Sequence, residues 1–146
     1  MESLKNQKNN GVRWVSPKND TPKDCDPVLA VIDGSRGLED LEGEYTIASH
    51  SNRGWGLEDL DLDDFKVLLW AEIPEYDPEN PGPWTPIEEE APKTNNYVLV
   101  VFDGKCNGFD YEECPAVASY EKDGWELKDV HMDSFRVLAW MNILNW

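Results

Sequence analysis

Apolar positions in this chain come in short runs separated by polar turns, and the runs have the length and composition of β-strands. Val28 to Ile32 is a continuous apolar run with β-branched residues, closed by Asp33-Gly34. That pattern predicts a central strand entering a turn. Val98 to Phe102, closed by Asp103-Gly104, repeats it. The acidic, glycine-bearing stretch 35–44 predicts a long hairpin loop. Tyr45 to Ser49 alternates and predicts a second strand, Asn52-Arg53-Gly54 a turn, and Trp55-Gly56-Leu57 the start of a third strand. Asp59 to Asp64 reads as a polar connection. Beyond it Phe65, Val67, Leu69, Ala71 and Ile73 alternate onto one face at the strand period, which puts Trp70 on the opposite face from Phe65. A helix over 64–73 competes, because Leu, Ala and Glu tolerate helix well. The β-branched Val67 and Ile73, and Pro74 just beyond, favour strand.

The pattern occurs twice. Segment 14–73 aligns with 84–143 at an offset of 70 without a gap, and about 22 of 60 positions are identical, the mark of an internal repeat. Trp14, Trp55 and Trp70 match Trp84, Trp125 and Trp140. Asp33-Gly34 matches Asp103-Gly104, and Asp63, Phe65 and Val67 match Asp133, Phe135 and Val137. Between the copies, residues 74–83 hold four prolines, which oppose helix and predict an extended connector. The expected organisation is a basic, flexible arm over 1–12, module copy 1 over 13–73, a Pro-rich linker over 74–83 and module copy 2 over 84–146. The expected class is mainly β, with α+β as the alternative: two tandem antiparallel-sheet modules of about 60 residues related by pseudo-two-fold symmetry. A sheet that small has a thin core. The copies are therefore expected to pack together or to merge into one sheet.

Charge sharpens this picture. The chain of 146 residues has a net charge of −17, and the first 23 residues run against it with five basic and two acidic side chains. The acidic remainder would repel nucleic acid, because phosphate binding needs cations that displace counterions. It would instead attract basic proteins by electrostatic steering. Three cysteines without a framework of spacings argue against a disulfide-stapled secreted domain. No apolar run approaches the length of a membrane span. A cytoplasmic protein, monomeric or homodimeric, is expected.

Candidate chemistry is thin. Asp59, Asp61, Asp63 and Asp64, with Asp129, His131 and Asp133 in the second copy, carry oxygen ligands suited to a hard cation. They lack the glycine and the closing bidentate Glu of a calcium loop. Cys106 and Cys114 face Arg36 and Glu44 in the alignment and form no Cys-x-x-Cys. Ser49 and Ser119 recur without a nucleophile elbow, and only two histidines are present as bases. No phosphate-binding glycine fingerprint occurs. The sequence therefore predicts no enzyme, no metal and no cofactor.

A Trp near the start, a Pro, a Val-Leu-x-Val-x-Asp-Gly strand, a Gly-Trp and a closing Val-x-x-Trp-x-x-Ile together resemble domain-of-unknown-function family 551. Its short modules are common in phage and prophage genomes. The first copy also carries Pro74 after Ile73, whereas the second has Leu144 there. The resemblance covers each copy nearly end to end and implies a mobile-element origin. It carries no catalytic residues to transfer.

One surface remains as a candidate site. Glu39, Asp40, Glu42 and Glu44, then Glu58, Asp59, Asp61, Asp63 and Asp64, and Glu88, Glu89 and Glu90 are expected to form an acidic ridge. A solvated face is the plainest use of such charge. Its functional use is imitation of a phosphate array, so that a basic nucleic-acid-binding protein of host defence is occupied and inhibited, as anti-CRISPR or anti-restriction proteins do. The alternative is a tandem peptide- or ligand-binding module that uses an aromatic cleft or a sheet edge.

Overall fold

Nine antiparallel strands, and no helix among the described residues, make up the computed structural model, which describes residues 13–58, 60–93, 96–122 and 124–143. The expected arm over 1–12 lies outside them. The first four strands are β1 (Val28–Arg36), β2 (Glu39–Ser51), β3 (Gly54–Leu57) and β4 (Asp64–Glu72). They form a sheet in the order β3-β2-β1-β4. The remaining five are β5 (Thr85–Pro86), β6 (Val98–Cys106), β7 (Phe109–Glu121), β8 (Gly124–Leu127) and β9 (Ser134–Asn142), ordered β5-β9-β6-β7-β8. The chain divides into two compact units, one spanning Arg13–Ile73, the other holding the described residues from Pro74 onward. The strands fall into two separate sheets, so a single merged sheet is not formed.

Each unit repeats the other's topology and register at an offset of 70. Val28 pairs with Ala48 and Glu72, and Val98 pairs with Ala118 and Asn142. Thr85 pairs with Trp140 through β5, and the aligned Val15 bridges to Trp70. The helix alternative over 64–73 falls, because β4 is paired to β1 along its whole length. The β-branched and alternating apolar residues there fit a pleated, half-buried surface better than a helical one.

Two expectations fail, each at a stretch where a strand carries a bulge. The stretch 35–44 is not a long loop. β1 and β2 continue through it as a paired hairpin arm that closes on a two-residue turn at Gly37-Leu38, and Asn107-Gly108 closes the arm in the second unit. Gly37 has φ 61°, while Asn107 and Gly108 have φ 53° and 83°. Turns with positive φ match the twist of paired strands, and Asn-Gly is their usual sequence. The arm contains a bulge, since the pairing passes from Ile32–Glu44 to Gly34–Leu41. A second bulge corrects the face of Trp70. Val31 pairs with Leu69 but Ile32 pairs with Val67, so Leu68 is the extra residue and the side-chain parity flips there. Trp70 and Trp140 therefore lie on the same face as Phe65 and Phe135, not on opposite faces. In the second unit Val98, Val100, Phe102, Val137 and Trp140 form one buried cluster against which Phe135 packs.

Both faces of the central strands are buried. In the first unit Ala30, Ile32, Ala48, Leu60 and Val67 cluster on one face, while Leu29 and Val31 point the other way and are equally inaccessible. The indole ends are satisfied as well as buried. Trp70 Nε1 donates to the Asp20 carbonyl at 2.9 Å, and Trp140 Nε1 donates to the Glu90 carbonyl at 2.8 Å. These bonds hold the segments before β1 and β6 against β4 and β9. The Pro-rich stretch is part of the second unit: Trp84 Nε1 donates to the Pro74 carbonyl at 3.1 Å, and the Tyr76 ring meets the Trp84 ring edge-on at 6.2 Å.

Candidate functional site: an acidic sheet face

The acids singled out from the sequence fall into three groups. Glu39, Asp40, Glu42 and Glu44 lie on β2, the first three exposed and Glu44 half-buried. Glu58 follows β3, Asp61 and Asp63 lie in the connection to β4, and Asp64 opens β4. All four are exposed. Asp59 lies outside the described residues. Glu88, Glu89 and Glu90 are exposed in the turn after β5 and belong to the second unit.

The register brings part of the first two groups together. Asp40 pairs with Ser35, and Ser35 pairs with Asp64, so the two acids stand on one face in a row across β2, β1 and β4. Adjacent strands are about 4.8 Å apart, which separates Asp40 from Asp64 by about 10 Å. Glu42, two residues along β2 from Asp40, and Asp33, two along β1 from Ser35, extend this distal face. Lys66 is the cation opposite Asp33. The aligned positions of the second unit differ. Lys105 replaces Ser35 and reaches Asp110 at 3.7 Å, Ser134 replaces Asp64, and Arg136 reaches Asp103 at 3.6 Å. The acidic face is thus concentrated in the first unit, and its counterpart is partly neutralised.

Asp63 does not belong to that face. Its Oδ2 accepts the backbone N–H of Gly37 at 2.7 Å, and its own N–H donates to the Ser35 carbonyl at 2.9 Å. Asp133 does the same for Asn107 at 3.0 Å. Two further acids, absent from the sequence-derived set, also serve the backbone. Asp33 and Asp103 accept the N–H groups of Gly43 and Glu113, each at 2.9 Å, across the arm bulge. Their invariance between the copies was the available signal. Among the described residues no group of three or more His, Cys, Asp or Glu is gathered so that it could hold a metal ion.

No family model, curated protein or solved structure matches the chain. The functional reading therefore rests on the residues. Among the described residues, no helix is long and apolar enough to cross a membrane.

The aromatic pairs near the β2–β3 and β7–β8 turns are mutual packing partners. His50 meets Trp55 at 5.0 Å, and Tyr120 meets Trp125 at 4.9 Å. Trp55 and Trp125 also pack on the buried clusters. Both are partly buried, whereas Phe109 and Tyr111 on the second hairpin arm, and Tyr97 just before β6, present exposed rings.

Proposed function

We propose that this is a non-enzymatic protein of mobile-element type that binds and blocks a basic nucleic-acid-binding protein of host defence, as an anti-CRISPR or anti-restriction inhibitor would. The observation that carries this reading is the row Asp40–Ser35–Asp64, flanked by Glu42, on one sheet face. The unit bearing it has six basic against fourteen acidic side chains over residues 13–73. Carboxylates fixed on paired strands lose less freedom on binding than carboxylates on a loop, so more of their Coulomb attraction appears as affinity. A basic groove that meets them releases its own counterions and is steered toward them, as it is toward nucleic acid. Resemblance to a phage module family supports the origin. Binding needs no cofactor and no covalent step.

The test is a pull-down from bacterial lysate with the full chain, at low and raised salt. The expected result is recovery of a basic, nucleic-acid-associated protein at low salt, weakened by salt and by the double variant Asp40→Lys/Asp64→Lys. Recovery of none, or binding indifferent to both salt and charge reversal, would refute the reading.

A further inference from the structure

The two hairpin arms share a backbone but not a surface. In the first arm Arg36 and Glu39 pair across the strands next to the turn, and their side chains form an ion pair at 3.1 Å. At the same place in the second arm stand Cys106 and Phe109, paired in the same register. Phe109 is 68% exposed. Tyr111, on the same face two residues on, is 39% exposed, and its cross-strand neighbour is Gly104, which has no side chain to cover it. Single exposed apolar residues are ordinary, but Phe109, standing where Glu39 forms its ion pair, and Tyr111, standing where Leu41 does, put two adjacent rings on one face and form a patch. Between and beyond them Asp110 and Glu112 point to the opposite face, both exposed. These two acids are identical in the first arm, as Asp40 and Glu42.

The strand period sorts these residues into two rows. Successive side chains on one face are about 7 Å apart, so rings line one face and carboxylates the other at the same interval. Proteins that bind single strands combine a cationic track for the backbone with aromatic platforms on which bases stack. The arm is the complement of that arrangement. A second copy of this chain is a poor occupant, since it would bring Asp110, Glu112 and Glu113 against themselves in a protein already at −17. Lys105, 3.7 Å from Asp110, does not change this, because an exposed ion pair is worth little and exchanges readily.

We propose that the second arm enters a cleft that normally binds single-stranded nucleic acid, with Phe109 and Tyr111 in place of bases and Asp110 and Glu112 in place of phosphates. This rests on the inhibitor reading above and narrows it to one class of partner. In the cleft the two rings meet the partner's stacking side chains in offset or edge-on geometry, or lie under an arginine.

The experiment uses the full chain as eluant for bacterial-lysate proteins held on single-stranded and on double-stranded DNA-cellulose at low salt. Release is expected from the single-stranded column in preference. It should need roughly tenfold more protein for each ring lost in Phe109→Ser or Tyr111→Ser, from the usual worth of one stacked base. Phe109→Leu/Tyr111→Leu, which keeps apolar bulk without rings, should lose as much. Equal release from both columns, or equal release by the ring variants, overturns this inference and leaves the acidic-inhibitor reading standing. No release from either column overturns both.

Discussion

The Asp63 carboxylate accepts the backbone N–H of Gly37 at 2.7 Å, twenty-six residues earlier in the chain, and so ties the β3–β4 connection to the tip of the first hairpin arm. An acid that looks like part of a charged surface is therefore part of the frame. Asp63→Ala should destabilise the first unit by about 1–2 kcal/mol, the usual worth of a hydrogen bond to a charged acceptor at a partly exposed site. Urea unfolding measures it. The same change should weaken partner binding far less than Asp64→Lys, because Asp63 does not stand in the acidic row.

That contrast shows how much the sequence reveals. Strand identity, the duplication and the starts of the central strands are legible, because Val28–Ile32 and Val98–Phe102 carry the same apolar run; their ends are not, since β1 and β6 continue through the Asp-Gly read as a turn to Arg36 and Cys106. Two features escape. Leu68 is an ordinary apolar residue, and only its lack of a cross-strand partner flips Trp70 onto the face of Phe65. Period-two counting carries no mark of such an insertion. The arm was hidden because acids and glycine depress strand propensity, while the register is set by backbone bonds to Asp33 and by the turn at Gly37. The acidic row was half legible. Asp40 and Asp64 are visible as acids, but their alignment through Ser35 depends on that same arm being paired.

Gly34 gives a second expectation. A β-carbon there would lie 2.6 Å from Leu62 Cδ1 and 2.8 Å from the Asp64 carbonyl oxygen. Leu62 can turn away, but the carbonyl belongs to β4 and cannot move without shifting the sheet. At Gly104 the nearest atoms, Met132 Sδ and the Ser134 carbonyl oxygen, are each 3.1 Å away. Gly34→Ala should therefore cost about 1–3 kcal/mol, as overpacking does, and Gly104→Ala clearly less. Thermal unfolding of the two variants compares them directly. Equal costs would contradict the tighter approach of β4 in the first unit.

The indole pair offers an internal control. Trp70→Phe and Trp140→Phe keep most of the buried ring but leave the carbonyls of Asp20 and Glu90 without their donors. Each should cost about 1–3 kcal/mol, combining the lost ring volume with the lost bond. Amide hydrogen exchange should accelerate in the segment before β1 for the first variant and before β6 for the second. Exchange that rises uniformly instead would mean that the indole bonds do not fasten those segments.

Tyr76 links the Pro-rich stretch to pH. Burial raises its phenol above the ordinary value of 10.0, and the negative charges of Glu113, Glu88, Asp103 and Asp77 push the same way. The folded state thus holds this proton more tightly than the unfolded chain does. The resulting stability is present in full below pH 10 and is lost as the pH climbs through the raised value. Ultraviolet titration should show one phenol ionising later than the others, and Tyr76→Phe should remove that late step. The variant should also resist alkaline unfolding better than the wild type relative to their stabilities at neutral pH, since it has no phenolate to form beside four carboxylates. If the late step survives in Tyr76→Phe, another tyrosine is responsible, and the packing of Tyr76 against Trp84 does not create the protected environment described above.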